Sequence, residues 1–265
     1  MTIVLGMNCM EGTVLCSDSL DSDGITKTME NKIWSYQTQG QWGIAVGSAG
    51  ESDFCEAFTD TLRELFVGEV YDREGIMREL RNAINAARVT YPDLEWAALF
   101  AMFGPHNPKA PTRQLLRVSD RSKHLAPVAR FDAVGIGSHL AKFLCKQIYT
   151  DFMTLEETVH LAIYIVSQCI AHVAGCDGPI SVVEWKMGRP EWRPYAPQQV
   201  KAIQNSFDTE KLRNALIDFW RSQTPGFIRN VPQYVSLPKG GSVKFLSAVG
   251  LQNNLANRKP KRSKK

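Results

Sequence analysis

No apolar run in this 265-residue chain approaches the ~18 residues that a membrane-spanning helix needs. The longest, around Trp96–Phe103 and Leu161–Val166, stop well short; a transmembrane helix is excluded. The opening stretch, MTIVLGMNCMEG, lacks a basic head and carries an acid and two glycines, so no secretory signal peptide is expected. No CxxC pair is present. Six scattered cysteines (Cys9, Cys16, Cys55, Cys145, Cys169 and Cys176) disfavour a zinc knuckle or a disulfide framework and point to the reducing cytoplasm.

Five histidines show neither HxxxH nor Cys–His spacing, so no metal is expected. GSAGES lacks the lysine of a phosphate-binding loop, and AVGIGSH lacks the third glycine of a dinucleotide fingerprint. The expectation is a protein without cofactors. A strong basic excess is also missing. Lys and Arg exceed Asp and Glu by four, but six basic residues lie in 258–265, so residues 1–257 carry a net charge of −2. Nucleic acid is therefore not expected as the principal partner. What remains is a chain with 44% hydrophobic and 22% charged residues, enough to bury a sizeable core.

Short runs of β-formers separated by turn residues open the chain, with Ile3–Met7 and Thr13–Ser17 flanking Met10-Glu11-Gly12. Thr28–Tyr36 and Trp42–Val46 read as a second pair around Gln39-Gly40. The period then becomes helical, first with Phe54, Phe58, Leu62 and Leu65 and then with Ile76, Leu80, Ile84 and Ala87, until Pro92 stops it. Strand patterns return at Trp96–Phe103, Gln114–Val118 and Ala129–Val134. Helices follow at His139–Tyr149 and from Thr154 to about Val173, the second opened by a Thr154/Glu157 capping box. Ile180–Trp185 reads as a closing strand. This order predicts an α+β fold in which two sheets stack face to face between helical layers, a four-layer α-β-β-α sandwich.

The texture changes after Met187, where six of the thirteen prolines fall within fifty-one residues. The expected organisation is a domain over 1–187, an appendage over 188–250 and a basic, disordered tail over 251–265. The appendage is expected to hold one helix from Asp208 to about Arg221, whose Leu212, Leu216, Phe219 and Trp220 stripe calls for a packing partner.

Met1-Thr2 is a start from which the methionine is expected to be removed, because the following side chain is small. Thr2 would then carry a hydroxyl and a free α-amine in one residue, so the amine can act as general base for its own nucleophile. Many chains begin this way without such chemistry. By themselves, Asp18 also fits a strand-end cap, Lys32 a solvated strand lysine, and Gly47 a position chosen for backbone freedom.

The order of these residues resembles the β-type subunits of the proteasome family, N-terminal nucleophile hydrolases with bacterial members, over about Thr2–Trp185. A threonine opens the first strand and a glycine turn at Gly12 leads to a second strand ending in Asp18. Lys32-Ile33 follows after a loop two residues shorter than usual, and then Gly47-Ser48-Ala49-Gly50 precedes the first helix. AVGIGSHLA and GCDGPISVVEW resemble two later glycine turns. The resemblance implies that Thr2 is the nucleophile and its amine the base. Lys32 would lower the amine pKa from about 8, Asp18 would hold Lys32, and the Gly47 N–H would face the oxyanion. By family position Glu30, Ala45 and Ala49 would line the pocket for the residue before the cut, with Glu30 favouring basic side chains.

The chain also departs from the family pattern. Ile136, His172 and Gly175 stand where active relatives place polar residues that orient the amine, with Ser138 two residues beyond Ile136. The expected activity is a threonine peptidase within a closed homo-oligomer, acting on a protein or peptide. Any energy for unfolding its substrate would come from a separate ATPase. The alternatives are a catalytically weak or inactive scaffold and an amidase for a small molecule.

Overall fold

The computed structural model describes residues 2–22, 27–37, 42–66, 72–104, 113–120 and 124–207. The expected Asp208–Arg221 helix, the basic tail and the Gln39-Gly40 turn lie outside the described residues.

Two five-stranded antiparallel sheets and five helices make up the described fold. The first hairpin pairs β1 (Ile3–Cys9) with β2 (Gly12–Ser17), its register running from Val4 opposite Ser17 to Cys9 opposite Gly12. Next come β3 (Leu20–Ser22) and β4 (Lys27–Met29), which pair with each other alone. β5 (Ile33–Gln37) and β6 (Gly43–Gly50) begin the second sheet.

The continuous β-former run Thr28–Tyr36 is therefore two strands. β4 takes its hydrogen bonds from β3 while β5 takes its own from β6, so the chain must change partner across Glu30–Lys32. That interruption carries two of the expected site residues.

The helices α1 (Ser52–Phe66) and α2 (Arg73–Thr90) follow the expected periods. Asp72 caps α2 by accepting from the Gly75 N–H at 2.7 Å. The stripe of α1 is fully buried at Phe54, Phe58 and Leu62, with the Phe54 ring 5.0 Å from that of Trp96. β7 (Trp96–Phe103) ends at the residues expected for it and pairs with β6 and β8 (Arg113–Ser119). The strand expected over Ala129–Val134 starts at Phe131, and the two residues before it form a crossing. β9 (Ala126–Val128) closes the second sheet and β10 (Phe131–Gly135) opens the first, with the switch between them.

α3 (Ser138–Ile148) and α4 (Leu155–His172) come next, and the capping box forms as expected. The Thr154 hydroxyl accepts from the Glu157 N–H at 3.2 Å, and Glu157 Oε2 accepts from the Thr154 N–H at 2.8 Å. β11 (Ser181–Lys186) pairs with β2 on one side and with β12 (Arg193–Pro194) on the other, and α5 (Pro197–Ser206) follows. The high proline content of this region concealed α5. Pro197 sits at its first turn, where a missing N–H costs nothing, and the Ala196 N–H donates to Gln199 Oε1 at 2.9 Å. Val200 is buried, and Phe207 meets Tyr164 of α4 edge-on at 5.7 Å.

Three apolar clusters hold these elements. One joins the first sheet to α3, α4 and α5, and a second joins the other sheet to α1 and α2. The third contains residues of both sheets, among them Val4, Leu15, Ala45, Leu99 and Val134. Each strand of the central pairs thus sends alternate side chains to two different clusters, as in Val14, Leu15 and Cys16. All six cysteines are buried thiols within the first two clusters.

Candidate functional site

The start of β1 and the end of β2 meet because the hairpin register sets Val4 opposite Ser17, bringing Thr2 and Asp18 together just beyond the paired residues. The Thr2 hydroxyl donates to Asp18 Oδ1, and the Ile3 N–H donates to the same oxygen at 3.1 Å. Asp18 Oδ2 accepts from the Asp177 N–H at 3.1 Å. Asp18 is wholly buried and Thr2 only 3% exposed. Burial pushes the Asp18 carboxyl above its ordinary value, against the opposing effects of the Thr2 hydroxyl, the Ile3 N–H, the Lys32 charge and the Asp177 N–H. The Asp18 carboxyl thus fixes the Thr2 hydroxyl at the open end of the hairpin.

Lys32 reaches the same region from the strand interruption. It is 7% exposed, and its ammonium donates to the Leu20 carbonyl. Its own carbonyl accepts from the Ser48 N–H at 3.3 Å, which fastens the lysine to β6.

A cavity of about 240 Å³ opens beside Thr2, and Glu30, Lys32 and Ala49 also line it. Of the expected site residues, Thr2, Asp18, Lys32, Glu30 and Ala49 are thus brought together. Ala45 is not in the cavity lining but in the apolar cluster shared by the sheets. Gly47 abuts β1 so closely that an added Cβ would lie 2.5 Å from Val4 Cγ1. Packing of the two sheets therefore requires glycine there, whatever its N–H does.

Gly135 and Asp177 are positioned in ways the residue types did not disclose. Gly135 has φ +90°, and a Cβ at this position would lie 2.1 Å from the Thr2 carbonyl oxygen. Asp177 contributes through its backbone, so its side-chain identity carried no signal. The glycine turns AVGIG and GCDG were the only sequence marks of either. Gly135→Ala should lower unfolding free energy by about 2–3 kcal/mol through φ strain and overpacking, and displace Thr2. Urea unfolding checks the first effect and peptide hydrolysis the second; wild-type values for both would contradict this account.

The residues at the family's amine-orienting positions do not replace that function by type. Ile136 is 43% exposed, and His172 is exposed on the last turn of α4. Cys169 and Cys176 are poor nucleophiles, because burial and the Asp18 charge push their thiols up to about 12. Among the described residues no group of His, Cys, Asp or Glu could hold a metal ion, and no helix is long and apolar enough to cross a membrane.

No protein-family model matches the chain, and no curated protein matches it. Solved structures do. Anbu from Hyphomicrobium sp. strain MC1 aligns with a TM-score of 0.65 at 15% identity, over 80% of this chain and 96% of that one. Anbu, an ancestral β-subunit, from Yersinia bercovieri aligns at 0.67 and 13% identity, over 86% and 100%. A helical assembly of the Anbu complex from Pseudomonas aeruginosa aligns at 0.65 and 14% identity, over 88% and 98%. At these identities the likeness is one of fold, a mixed α/β architecture.

Proposed function

We propose that this chain is an N-terminal threonine peptidase built on a four-layer α-β-β-α sandwich. The observation that carries the reading is the hydrogen bond from the Thr2 hydroxyl to buried Asp18, with Lys32 lining the same cavity. After removal of Met1, Thr2 Oγ1 attacks the substrate carbonyl carbon and its proton passes to the Thr2 amine. The same proton then goes to the departing amine as the C–N bond breaks, leaving an ester on Thr2 that water hydrolyses. Lys32 keeps the amine neutral, Asp18 holds Lys32 and the Thr2 hydroxyl, and the Gly47 N–H stabilises the oxyanion. The first cavity wall includes Glu30 and Ala49.

The reading includes a homo-oligomer. One solved structure of similar fold is a helical assembly, and in this chain Phe143 is 59% and Phe152 86% exposed, apolar area suited to subunit contacts. Residues 188–207 adjoin the sandwich through β12 and α5, and the remainder of the chain is assigned to the appendage and tail.

A catalytically weak scaffold is the second reading, favoured by exposed Ile136 and His172 at amine-orienting positions. One preparation separates the two. Purified full-length protein should hydrolyse a fluorogenic tetrapeptide panel, have an intact mass lacking Met1, and scatter light as a multiple of 29.7 kDa. Met1 retained with no amine released would contradict the peptidase; a 29.7 kDa particle at all concentrations would contradict the oligomer.

A further inference from the structure

β2 stays paired with β11 as far as Ser17 opposite Ser181, and β3 begins at Leu20, so the chain leaves the first sheet across Asp18 and Ser19. Neither of these two residues belongs to a strand. The ladder of the first sheet therefore stops short of Asp18. Leu20, whose carbonyl receives the Lys32 ammonium, sits in the β3–β4 pair, which bonds to neither large sheet.

The segment is fixed instead by the loop before β11. The Asp177 N–H donates to Asp18 Oδ2 at 3.1 Å, and the Leu20 N–H donates to the Asp177 carbonyl at 3.0 Å. Ser19 adds a third bond between them, its hydroxyl donating to the Pro179 carbonyl at 2.5 Å. On its other side the Ser19 carbonyl accepts the Glu30 N–H at 2.8 Å, two residues before Lys32. Ser19 is thus tied both to the loop that holds Asp18 and to the strand interruption that carries Lys32. It is only 6% exposed, and it does not line the cavity beside Thr2. Pro179 has a fixed φ, which makes its carbonyl a stiff anchor.

We propose that Ser19 is a positioning residue, whose hydroxyl bond to the Pro179 carbonyl sets the separation of the Asp18 carboxylate from the Lys32 ammonium. It acts through those two groups and touches no substrate. That its effect reaches hydrolysis rests on the peptidase reading.

The test compares full-length wild-type, Ser19→Ala and Thr13→Ala proteins. Thr13 is the control: it is 2% exposed, and its hydroxyl donates to Asn8 Oδ1 at 2.9 Å near the far end of the same hairpin. Each substitution removes one buried hydrogen bond, so both chains should stay folded with similarly lowered thermal midpoints. Carboxyl NMR without substrate follows Asp18, its resonance assigned by its absence from Asp18→Asn protein. Asp18 should titrate at higher pH in Ser19→Ala than in wild type, because the Lys32 charge and the Asp177 N–H, which oppose the effect of burial, are held less closely. Thr13→Ala should titrate as wild type does. With a fluorogenic tetrapeptide, Ser19→Ala should lose about tenfold in kcat at unchanged KM, and Thr13→Ala should lose neither. An unmoved Asp18 titration in Ser19→Ala would overturn the positioning role, as would an equal kcat loss in Thr13→Ala. The titration needs no bond cleavage, so an inactive wild type would count against the peptidase reading and leave the role of Ser19 readable. Wild-type kcat in Ser19→Ala would overturn the positioning role alone.

Discussion

Thr2→Ala protein should hydrolyse peptide amides at least about 10³-fold more slowly than wild type while keeping its assembly and thermal midpoint. The substitution removes the attacking oxygen and the hydrogen bond to Asp18, but little buried apolar area. Losses of that size or larger follow removal of a covalent nucleophile, because the rest of the site cannot supply a substitute. Water could still reach a bound carbonyl, so residual turnover from positioning and oxyanion contacts is expected. Thr2→Ser keeps the hydroxyl and the amine and should retain measurable activity. A Thr2→Ala chain with wild-type rates would remove Thr2 from the chemistry, and light scattering on the same sample would separate lost catalysis from lost assembly.

The second large effect is at Lys32. Lys32→Met should lose about 100-fold or more at neutral pH, well beyond the cost of an exposed lysine. The ammonium lowers the proton affinity of Asp18, and in the proposed mechanism it does the same for the Thr2 amine. Without it the amine returns toward its ordinary pKa of about 8 and Asp18 rises further, so each group holds a proton through a wider range of pH. Raising the pH toward about 9, above the ordinary amine value, frees the amine of its proton again. It does not restore the tether from the Lys32 ammonium to the Leu20 carbonyl, so less than about tenfold should return. A pH–rate profile decides. Full rescue at high pH would reduce Lys32 to an electrostatic role, and near-wild-type rates at neutral pH would make it a strand residue.

Asp18→Asn is the companion to that experiment. Because the folded pKa of Asp18 is raised, the native state binds its proton more tightly than the unfolded chain does. The stability from this group is present at low pH and is lost as pH rises through the folded pKa. Once ionised, the buried carboxylate is a cost. Above the folded pKa, Asp18→Asn should therefore unfold no more easily than wild type, yet lose activity. In the proposed mechanism that cost is carried by the group that holds the Thr2 hydroxyl in place.

Much of the scaffold was legible because its signals are local. α1 and α2 announce themselves by a 3.6-residue stripe, β7 by a bounded apolar run, and α4 by Thr154 and Glu157 three residues apart. The errors share a cause. Thr28–Tyr36 is a run of β-formers in which the chain changes partner, and the strand read over Ala129–Val134 begins just after such a change; alternation reports that a segment is extended without reporting what it pairs with. α5 was hidden because proline reads as a breaker and also opens helices.

The site was legible to the extent that side chains carry it. Thr2, Asp18 and Lys32 stand in a recognisable order, and the hairpin register explains why the first two touch. The Asp177 N–H and the φ of Gly135 belong to the backbone, so only the glycine turns around them left a mark in the sequence. Ala45 followed the family position, but it lies within the cluster between the sheets, whereas Ala49, on the same face of β6, and Ser48, on the other, line the cavity.

The most direct measurement is covalent capture. Full-length wild-type protein is incubated with a peptide β-lactone, whose strained ester is opened by an activated hydroxyl, and the adduct is located by peptide mapping. The account predicts one acyl adduct, an ester on Thr2 Oγ1 of chains that have lost Met1, and none on the Lys32→Met protein at neutral pH. Chains that retain Met1 and carry no adduct, or an adduct at any residue other than Thr2, would contradict it.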